Sequence, residues 1–209
     1  MNIEIKKSTK PVKYSDAVNF LEKRVARVHQ KKTNELIWIL EHPSVFTAGK
    51  RHDKREILDS KIKIIETSRG GKITWHGPGQ IICYFVIDLN KRKKDVRKFI
   101  KLVEKTIIET LKKYKISSHS DRNNIGIWIN KDNKIKKIAA IGIKIKKWIA
   151  YHGFSININN DLSYYNKIIP CGIKNKEITN FIFLKKQNYK KIKDDIPLTF
   201  IKNLKKKDF

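Results

Sequence analysis

The sequence contains little cysteine, little glycine and few acidic residues. Its two cysteines, Cys83 and Cys171, are too few for a disulfide framework, and no CxxC pair provides a zinc site. No segment approaches the roughly 18 apolar residues of a membrane span, and the N-terminal residues lack the apolar region of a secretory signal. We therefore expect a cytoplasmic protein without a bound metal. The 40% hydrophobic content is enough to form a hydrophobic core, and the length predicts a single domain over residues 1–209.

The scarcity of acidic residues leaves a large positive charge. Lysine and arginine number 48 against 20 aspartate and glutamate, which gives a formal net charge of +28. A field of this size attracts nucleic acids, anionic membranes or acidic proteins. The lysines are spread along the whole chain and accompany abundant isoleucine and asparagine, a pattern typical of a bias toward A/T-rich codons. We attribute the charge mainly to that bias, so it does not select a function by itself.

Two segments show the periodicity of amphipathic helices. Residues 15–29 place apolar side chains on one helical face, with Ser15 or Asp16 as the expected cap. Residues 95–115 show the clearest such pattern, and Asp95 is the expected cap at its start. Both segments predict helices that pack on a core.

Several other segments have the patterns of strands. Residues 35–42 and 81–89 are nearly continuous apolar runs, which are typical of strands buried on both faces. Residues 141–146 alternate isoleucine with glycine or lysine, as in a strand with one solvated face. A last helix is expected from Pro197, because proline is favoured in a first helical turn. Its inward side chains would be Leu198, Ile201 and Leu204. Strands grouped with two long helices predict an α+β fold.

Glycine is concentrated in one stretch. The chain has 9 glycines, and four of them lie in RGGKITWHGPGQ, residues 69–80. Glycine allows positive φ and close approach to the backbone. The stretch has neither GxxxxGK[ST] nor GxGxxG, so it does not predict a phosphate-binding loop. A groove lined by backbone, with Trp75 and His76 beside it, and an ordinary hairpin loop both remain possible.

Cys171 and His152 are the residues whose surroundings suggest chemistry. Cys171 lies between Pro170 and Gly172, which predicts a stiff exposed turn, whereas Cys83 lies in an apolar strand and is expected in the core. A nucleophilic cysteine needs a nearby cation to favour its thiolate, but the many lysines leave that partner open. His152 is interpreted first as a hydrogen-bonded turn residue, with acid–base catalysis as the alternative.

Six stretches carry further motifs in a fixed order along the chain: EHPSVFTAGK (41–50), RGGKITWHGPGQIICYFVIDL (69–89), NNIGIWI (123–129), KIAAIGIKI (137–145), HGFSININNDL (152–162) and PCGI (170–173). Together they resemble the lipoyl(octanoyl) transferases of lipoate biosynthesis. The resemblance spans about residues 35–180, and the motifs are specific as a set although each alone is weak. No motif covers the lysine-rich segment from about 183 to 209.

The resemblance implies a single catalytic domain with the fold of the biotin and lipoate protein ligases, in which mixed, largely antiparallel sheets pack with helices. It also implies a two-step reaction. An octanoyl group passes from acyl carrier protein to an enzyme cysteine, and then to a lysine of a lipoyl domain in an oxo-acid dehydrogenase or glycine-cleavage subunit. No ATP, cofactor or metal is implied, because the donor thioester supplies the driving force.

By motif position, the resemblance assigns the acyl-bearing cysteine to Cys171 and its partner to Lys137, although Lys134 and Lys136 lie beside it. Trp75 departs from the family's usual tyrosine, which would alter the width or hydrogen bonding of the pocket, and Ser68 stands where an acidic residue is frequent. The resemblance assigns the acyl pocket to Arg69, Gly70, Gly71, Lys72, Ile73, Thr74, Trp75, His76, Ala140, Ile141, Gly142, Gly153, Phe154 and Ser155.

Two other functions are weighed against this one. An ATP-dependent lipoate or biotin protein ligase would share the fold but would not need the cysteine of the PCG motif. A basic nucleic-acid-binding module would carry exposed aromatic side chains among its cations. In this sequence most tryptophans and phenylalanines lie in apolar runs, so we expect no specific nucleic-acid partner and no membrane partner.

Overall fold

The computed structural model describes residues 2–169 and 177–206, which form an α+β fold as predicted. Within these residues, no helix is long and apolar enough to cross a membrane. The helices are α1 Tyr14–His29, α2 Val96–Lys113, α3 Phe181–Leu184 and α4 Ile192–Leu204. The strands are β1 Ile3–Lys7, β2 Glu35–Leu40, β3 Val45–Ala48, β4 Ile64–Glu66, β5 Ile73–His76, β6 Gln80–Asp88, β7 His119–Ser120, β8 Ile127–Lys131, β9 Lys134–Lys146, β10 Ile149–Asn157 and β11 Glu177–Ile178.

The strands form two sheets of mixed but largely antiparallel pairing. The larger sheet has the order β1-β2-β6-β10-β9-β8-β7, and β11 pairs with β9. Its neighbours are antiparallel except for β1 with β2 and β11 with β9. The smaller sheet has the order β4-β3-β5 and includes part of the glycine-rich stretch. This sheet arrangement agrees with the predicted fold class.

Helices cover both faces of the larger sheet, and the alternation along β6 shows this directly. Cys83 and Phe85 pack in the core that contains α2 and α4, whereas Ile82 and Tyr84 pack in the core that contains α1. A strand covered on both faces has no solvated side, which explains the continuous apolar run in the sequence. Cys83 is fully buried, as predicted, and burial raises the pKa of its thiol.

The predicted cap of α2 is confirmed, but that of α1 is wrong. The Asp95 carboxylate accepts a hydrogen bond of 2.9 Å from the backbone N–H of Lys98, as an N-cap should. Helix α1 begins at Tyr14, so Ser15 and Asp16 lie inside its first turn and no side chain caps it. The helix is held instead by its apolar face, which packs on β2, β6 and β10.

The last helix begins earlier than predicted. Helix α4 starts at Ile192, so Pro197 lies in its interior rather than in its first turn. Leu198 is 59% exposed, so its predicted inward position is wrong, whereas Leu204 is buried and Ile201 packs against the core as predicted. Ile196 and Phe200 also belong to the buried face. Phe200 packs against aromatic rings of β6 and α2. This packing offsets the helical hydrogen bond that a proline cannot donate.

Candidate active site

A cavity of about 680 Å³ lies beside the larger sheet, on the face that carries α1. The smaller sheet supplies its second wall through the glycine-rich stretch. Every residue that the resemblance assigns to the pocket lines this cavity except Trp75. Lys137 lines it as well. Three segments that are distant in the sequence, residues 69–76, 140–142 and 153–155, are therefore brought around one space.

Trp75 lies on the opposite face of β5 from the cavity. Its ring stacks on Tyr164 with centroids 4.6 Å apart, and its indole N–H donates to Ser44 Oγ at 2.9 Å. It belongs to a small separate core with Phe46 and Ile73. A tryptophan here therefore changes the packing of the smaller sheet against Tyr164. It does not alter the width of the cavity, contrary to what the sequence had suggested.

The glycines of the stretch serve two different purposes. Gly70 and Gly71 line the cavity. At Gly77, by contrast, an added Cβ would lie 2.1 Å from the ring of Trp75, and at Gly79 it would lie 2.6 Å from a side-chain amide oxygen. Only the first pair therefore shapes the binding space, and the second pair allows tight packing beside it.

Arg69 organises the glycine-rich wall. Its two terminal nitrogens donate to the carbonyls of Gly70, Lys72 and Thr47 at 2.9 to 3.0 Å, and to Thr47 Oγ1 at 2.7 Å. The guanidinium is thus used to hold backbone in place, while its Nε has no hydrogen-bond partner. Its stem lies against Gly142, where an added Cβ would be 3.3 Å from Arg69 Cδ.

The three neighbouring lysines of β9 have different surroundings. Lys137 is 4% exposed, and its Nζ donates to the carbonyl of Ile125 at 3.2 Å and lies 5.0 Å from the centre of the Trp128 ring. Lys134 and Lys136 instead form ion pairs with Glu177 at 2.6 and 3.0 Å, and neither lines the cavity. The structure therefore distinguishes Lys137 from the lysines beside it.

Gly126 leaves the space that Lys137 occupies. Its φ is +144°, and an added Cβ would lie 2.5 Å from Lys137 Cε. The indole N–H of Trp128 donates to the carbonyl of Asn124 at 2.9 Å, which fixes the ring below the ammonium. The loop that carries these residues is thus shaped around one lysine side chain.

Cys171 lies outside the described residues. On one side of it, the backbone N–H of Ile169 donates to the carbonyl of Glu56 at 2.7 Å. On the other side, Ile178 of β11 pairs with Lys137, and the N–H of Thr179 donates to the Lys137 carbonyl at 2.9 Å. The chain that follows the PCG motif thus runs beside Lys137.

Two buried histidines, His76 in the cavity wall and His42 behind it, form hydrogen-bond networks that the sequence did not predict. His42 Nδ1–H donates to the carbonyl of Val12 at 2.6 Å, and its Nε2 accepts from the Tyr84 hydroxyl at 2.8 Å. His76 Nδ1–H donates to Gln80 Oε1 at 2.6 Å. Burial lowers the pKa of His42 to about 4 and that of His76 to about 3, so both are neutral at pH 7.

His152 differs from the turn residue that its sequence neighbours suggested. It lies within β10, is 2% exposed and has no hydrogen-bond partner for either ring nitrogen. Its φ is +67°, and its ring stacks on that of the adjacent Tyr151 at 4.9 Å. Neighbouring side chains of a regular strand point to opposite faces. The unusual φ thus allows the His152 ring to join the cavity wall.

Comparison with known proteins places these features in one family. The family model for the lipoyl protein ligase A/B catalytic domain matches residues 13–197. An octanoyltransferase of Ehrlichia ruminantium is 46% identical over 180 residues, covering 85% of this chain and 86% of its own. One from Bartonella tribocorum is 41% identical over 192 residues, covering 87% and 78%. The chain belongs to the octanoyltransferase family.

The family assignment agrees with the fold. This octanoyltransferase family member is similar to a crystal structure of lipoate-protein ligase A bound with ATP, with a TM-score of 0.76. The two are 15% identical, and the match covers 98% of this chain and 86% of that one. The predicted relation to the protein ligase fold is therefore confirmed, and the family identifies the chain as an acyltransferase.

Proposed function

We propose that this octanoyltransferase family member moves an octanoyl group from acyl carrier protein to Cys171, and from Cys171 to a lysine of a lipoyl domain. The acceptors would be subunits of oxo-acid dehydrogenases and of the glycine-cleavage system. The observation that carries the proposal is the cavity in which the glycine-rich wall, the small residues of β9 and Lys137 meet. Its relatives named octanoyltransferase support the choice of acyl group.

In the first step, the Cys171 thiolate attacks the carbonyl carbon of the donor thioester. A carbon–sulfur bond to Cys171 forms, the bond to the pantetheine sulfur breaks, and the leaving thiolate takes a proton from Lys137. A lysine ammonium beside the nucleophile stabilises its thiolate as well. The burial of Lys137, and its contacts with Ile125 and Trp128, support this role because they hold the nitrogen in one place.

In the second step, the acceptor lysine attacks the acyl carbon as a neutral amine. The amide bond forms, Cys171 leaves as a thiolate, and the proton of the attacking nitrogen passes to Lys137. Lys137 thus returns to its starting ammonium form, and the cycle needs neither ATP nor metal.

The acyl chain would lie in the cavity between the two walls. Gly70 and Gly71 offer backbone on one side, and Ala140 and Gly142 leave room on the other. Such a space suits a slender chain, because small residues on both sides let the walls approach it closely.

The cytoplasmic location and the thioester intermediate stay predictions.

Intact-protein mass spectrometry after mixing with octanoyl-acyl carrier protein, without ATP, tests the proposal. Wild type and Cys171→Ala are compared with Cys83→Ala, a matched control because Cys83 is buried in the core away from the cavity. We expect a hydroxylamine-labile octanoyl adduct on wild type and on Cys83→Ala, and none on Cys171→Ala. Absence of an adduct from all three would overturn the covalent mechanism.

Because the fold is shared with lipoate-protein ligase A, an ATP-dependent ligase is the alternative to be tested. That enzyme would activate free octanoate as an adenylate and would transfer it without Cys171. Lipoyl-domain modification is therefore measured with free octanoate plus ATP, and separately with octanoyl-acyl carrier protein alone. We expect product only from the carrier protein. Product only from octanoate and ATP would identify the enzyme as a ligase instead.

A further inference from the structure

We call the end of the cavity that lies away from Lys137 along β9 the closed end, because contacts join the two walls there. The backbone N–H of Gly70 donates to the carbonyl of Ile143 at 3.4 Å, which joins the glycine-rich wall to β9. Lys144 Nζ contacts Ser68 Oγ and lies 3.8 Å from a carboxylate oxygen of Glu22 on α1. These contacts tie both walls and α1 together beyond the far end of the cavity.

Three polar side chains around this closed end carry atoms without a hydrogen-bond partner. The atoms are the two ring nitrogens of His152, the hydroxyl of Tyr14 and Nε of Arg69. Burial raises the pKa of Tyr14, and the nearby Arg69 and Thr67 oppose that rise, but the Tyr14 hydroxyl is hydrogen-bonded to neither side chain. All three side chains are more than nine-tenths buried and line the cavity.

Polar side chains next to these three have hydrogen-bond partners, which distinguishes the three from their neighbours. The hydroxyl of Tyr84 donates to His42, and His76 donates to Gln80. Buried polar groups in native proteins are nearly always paired with protein, water or ligand. The unpaired groups of the closed end therefore indicate that a ligand or a water molecule in the cavity forms hydrogen bonds with them.

The protonation state of His152 defines the chemistry of the group that can pair with it. Burial, followed by the charges of Arg69 and Lys144, lowers the pKa of His152 to about 3, so the ring is neutral at pH 7. A neutral imidazole has one donor and one acceptor. A tyrosine hydroxyl likewise donates and accepts. A hydroxyl group or a water molecule matches both, whereas a methyl group matches neither.

We propose that His152 and Tyr14 form a polar subsite at the closed end of the cavity, which takes a neutral hydroxyl group beyond the eighth carbon of the acyl chain. With an octanoyl chain the occupant is water, and with an ω-hydroxylated chain it is the chain's own hydroxyl. The proposal rests on the proposed octanoyl transfer. Residues Ala140 to Ile143 of β9 line this part of the cavity. This stretch is about 10 Å long, which is comparable with the length of an extended acyl chain of medium length.

The subsite would also limit chain length. A ninth apolar carbon would have to displace the hydroxyl group and leave both side chains buried without partners, which is unfavourable. A terminal hydroxyl at the same position would instead pair with them. The subsite therefore discriminates two donors of equal heavy-atom length, 8-hydroxyoctanoyl and nonanoyl, by the chemistry of one atom.

The test compares single-turnover acylation by 8-hydroxyoctanoyl-, nonanoyl- and octanoyl-acyl carrier protein. Wild type, Tyr14→Phe and His152→Phe are compared with Tyr151→Phe, whose ring stacks on His152 but does not line the cavity. For wild type we expect 8-hydroxyoctanoyl to react at least tenfold faster than nonanoyl. That ratio should fall about tenfold in Tyr14→Phe and in His152→Phe, and stay unchanged in Tyr151→Phe.

An unchanged ratio in variants that still accept octanoyl would overturn the subsite. Tyr14→Phe removes only an oxygen atom, so it keeps the test decisive if His152→Phe does not fold. If wild type accepts no donor, the proposed transfer fails, and binding of free 8-hydroxyoctanoic and nonanoic acids by calorimetry then tests the subsite without acyl chemistry. Preference of wild type for nonanoic acid, or equal binding of the two acids, would overturn it.

Discussion

At the scale of single residues, the surroundings of a side chain decide its role more than its type does. Lys134, Lys136 and Lys137 are close neighbours in the sequence and equal in charge. Glu177 pairs with the first two, whereas Lys137 is buried against the cavity. Motif position singled out Lys137 in the sequence, and the tertiary contacts supply a physical reason for the distinction.

Replacing Lys137 should abolish acyl transfer without unfolding the protein. For Lys137→Met we expect the rate of adduct formation with octanoyl-acyl carrier protein to fall at least about 100-fold, because positioned proton transfer contributes about that much or more. The matched control is Lys136→Met, which loses only an ion pair with Glu177 outside the cavity. A comparable loss in both variants, measured by intact mass over time, would contradict the assignment.

The buried histidines should make the protein sensitive to acid. The pKa of His42 is about 4 and those of His76 and His152 are about 3, below the ordinary value of 6.5. Between about pH 6.5 and pH 4 the unfolded chain therefore binds protons that the native state does not, and the free energy of unfolding falls as the pH falls.

His152→Asn should reduce this pH dependence. Asparagine tolerates the positive φ of this position and removes one titrating group. We expect the loss of stability between pH 6 and pH 4.5 to be smaller by about 1.4 kcal/mol per pH unit, measured by urea denaturation. The matched control is His119→Asn, at an exposed site on β7. Equal slopes in wild type and His152→Asn would refute a contribution of His152 to the acid sensitivity.

At the scale of elements, β9 and β10 combine packing with the shape of the site. Gly142 of β9 and Gly153 of β10 are paired in register. An added Cβ at Gly153 would lie 1.9 Å from the Cys83 carbonyl of the adjacent β6, whereas at Gly142 it would lie 3.3 Å from the flexible stem of Arg69. Both glycines line the cavity, but only at Gly153 does the packing of the sheet itself exclude a side chain.

The two corresponding alanine variants should separate stability from activity. We expect Gly153→Ala to lower the free energy of unfolding by about 3 kcal/mol or more, because backbone of the central sheet must move. Gly142→Ala should cost less than about 1 kcal/mol but slow octanoyl transfer, because the Arg69 stem must shift along the cavity wall. Chemical denaturation and single-turnover acylation measure the two effects. Equal destabilisation by both variants would be the contrary result.

Predictions from periodicity succeeded where the elements are locally determined. Helix α2 carries its apolar stripe and its Asp95 cap within its own sequence, and it was found where expected. Helix α4 was placed too late, because proline is normally a first-turn residue. Its true start depends on the packing of Ile196 and Phe200 in the core shared with α2, which no local pattern shows.

At the scale of the whole molecule, the positive charge becomes useful only where it meets the site. Arg51 and Arg122 are exposed and line the cavity, and neither forms an ion pair within the described part of the chain. Acidic carrier and lipoyl domains would approach such a rim faster than a neutral one. The net charge of +28 adds to this attraction even if codon bias produced most of it.

Added salt should therefore slow encounter but not chemistry. We expect the second-order rate of acylation by octanoyl-acyl carrier protein to fall about tenfold between low and moderate salt, while the rate at saturating donor hardly changes. The double variant Arg51→Gln, Arg122→Gln should be less sensitive to salt, and Lys202→Gln on α4 should behave as wild type. Equal salt sensitivity of both rates in stopped-flow measurements would count against a steering role.

The amino-acid sequence by itself determined the fold class, the central strand, the two long helices and the family. These depend on local periodicity and on motifs whose order along the chain is visible without a structure. Through the family resemblance it also named many of the residues that line the cavity, but it did not place Tyr14, Tyr84 or His152 there. The orientation of Trp75 follows from the face that each β5 side chain takes.

Only the tertiary structure decided which groups meet at the closed end of the cavity. Tyr14 comes from α1, Arg69 from the glycine-rich wall and His152 from β10, so no sequence spacing relates them. Their lack of partners is a property of the packed molecule, because it requires burial by elements that are distant in the chain. Periodicity describes contacts among near neighbours, whereas a binding site is made by contacts between elements that folding brings together.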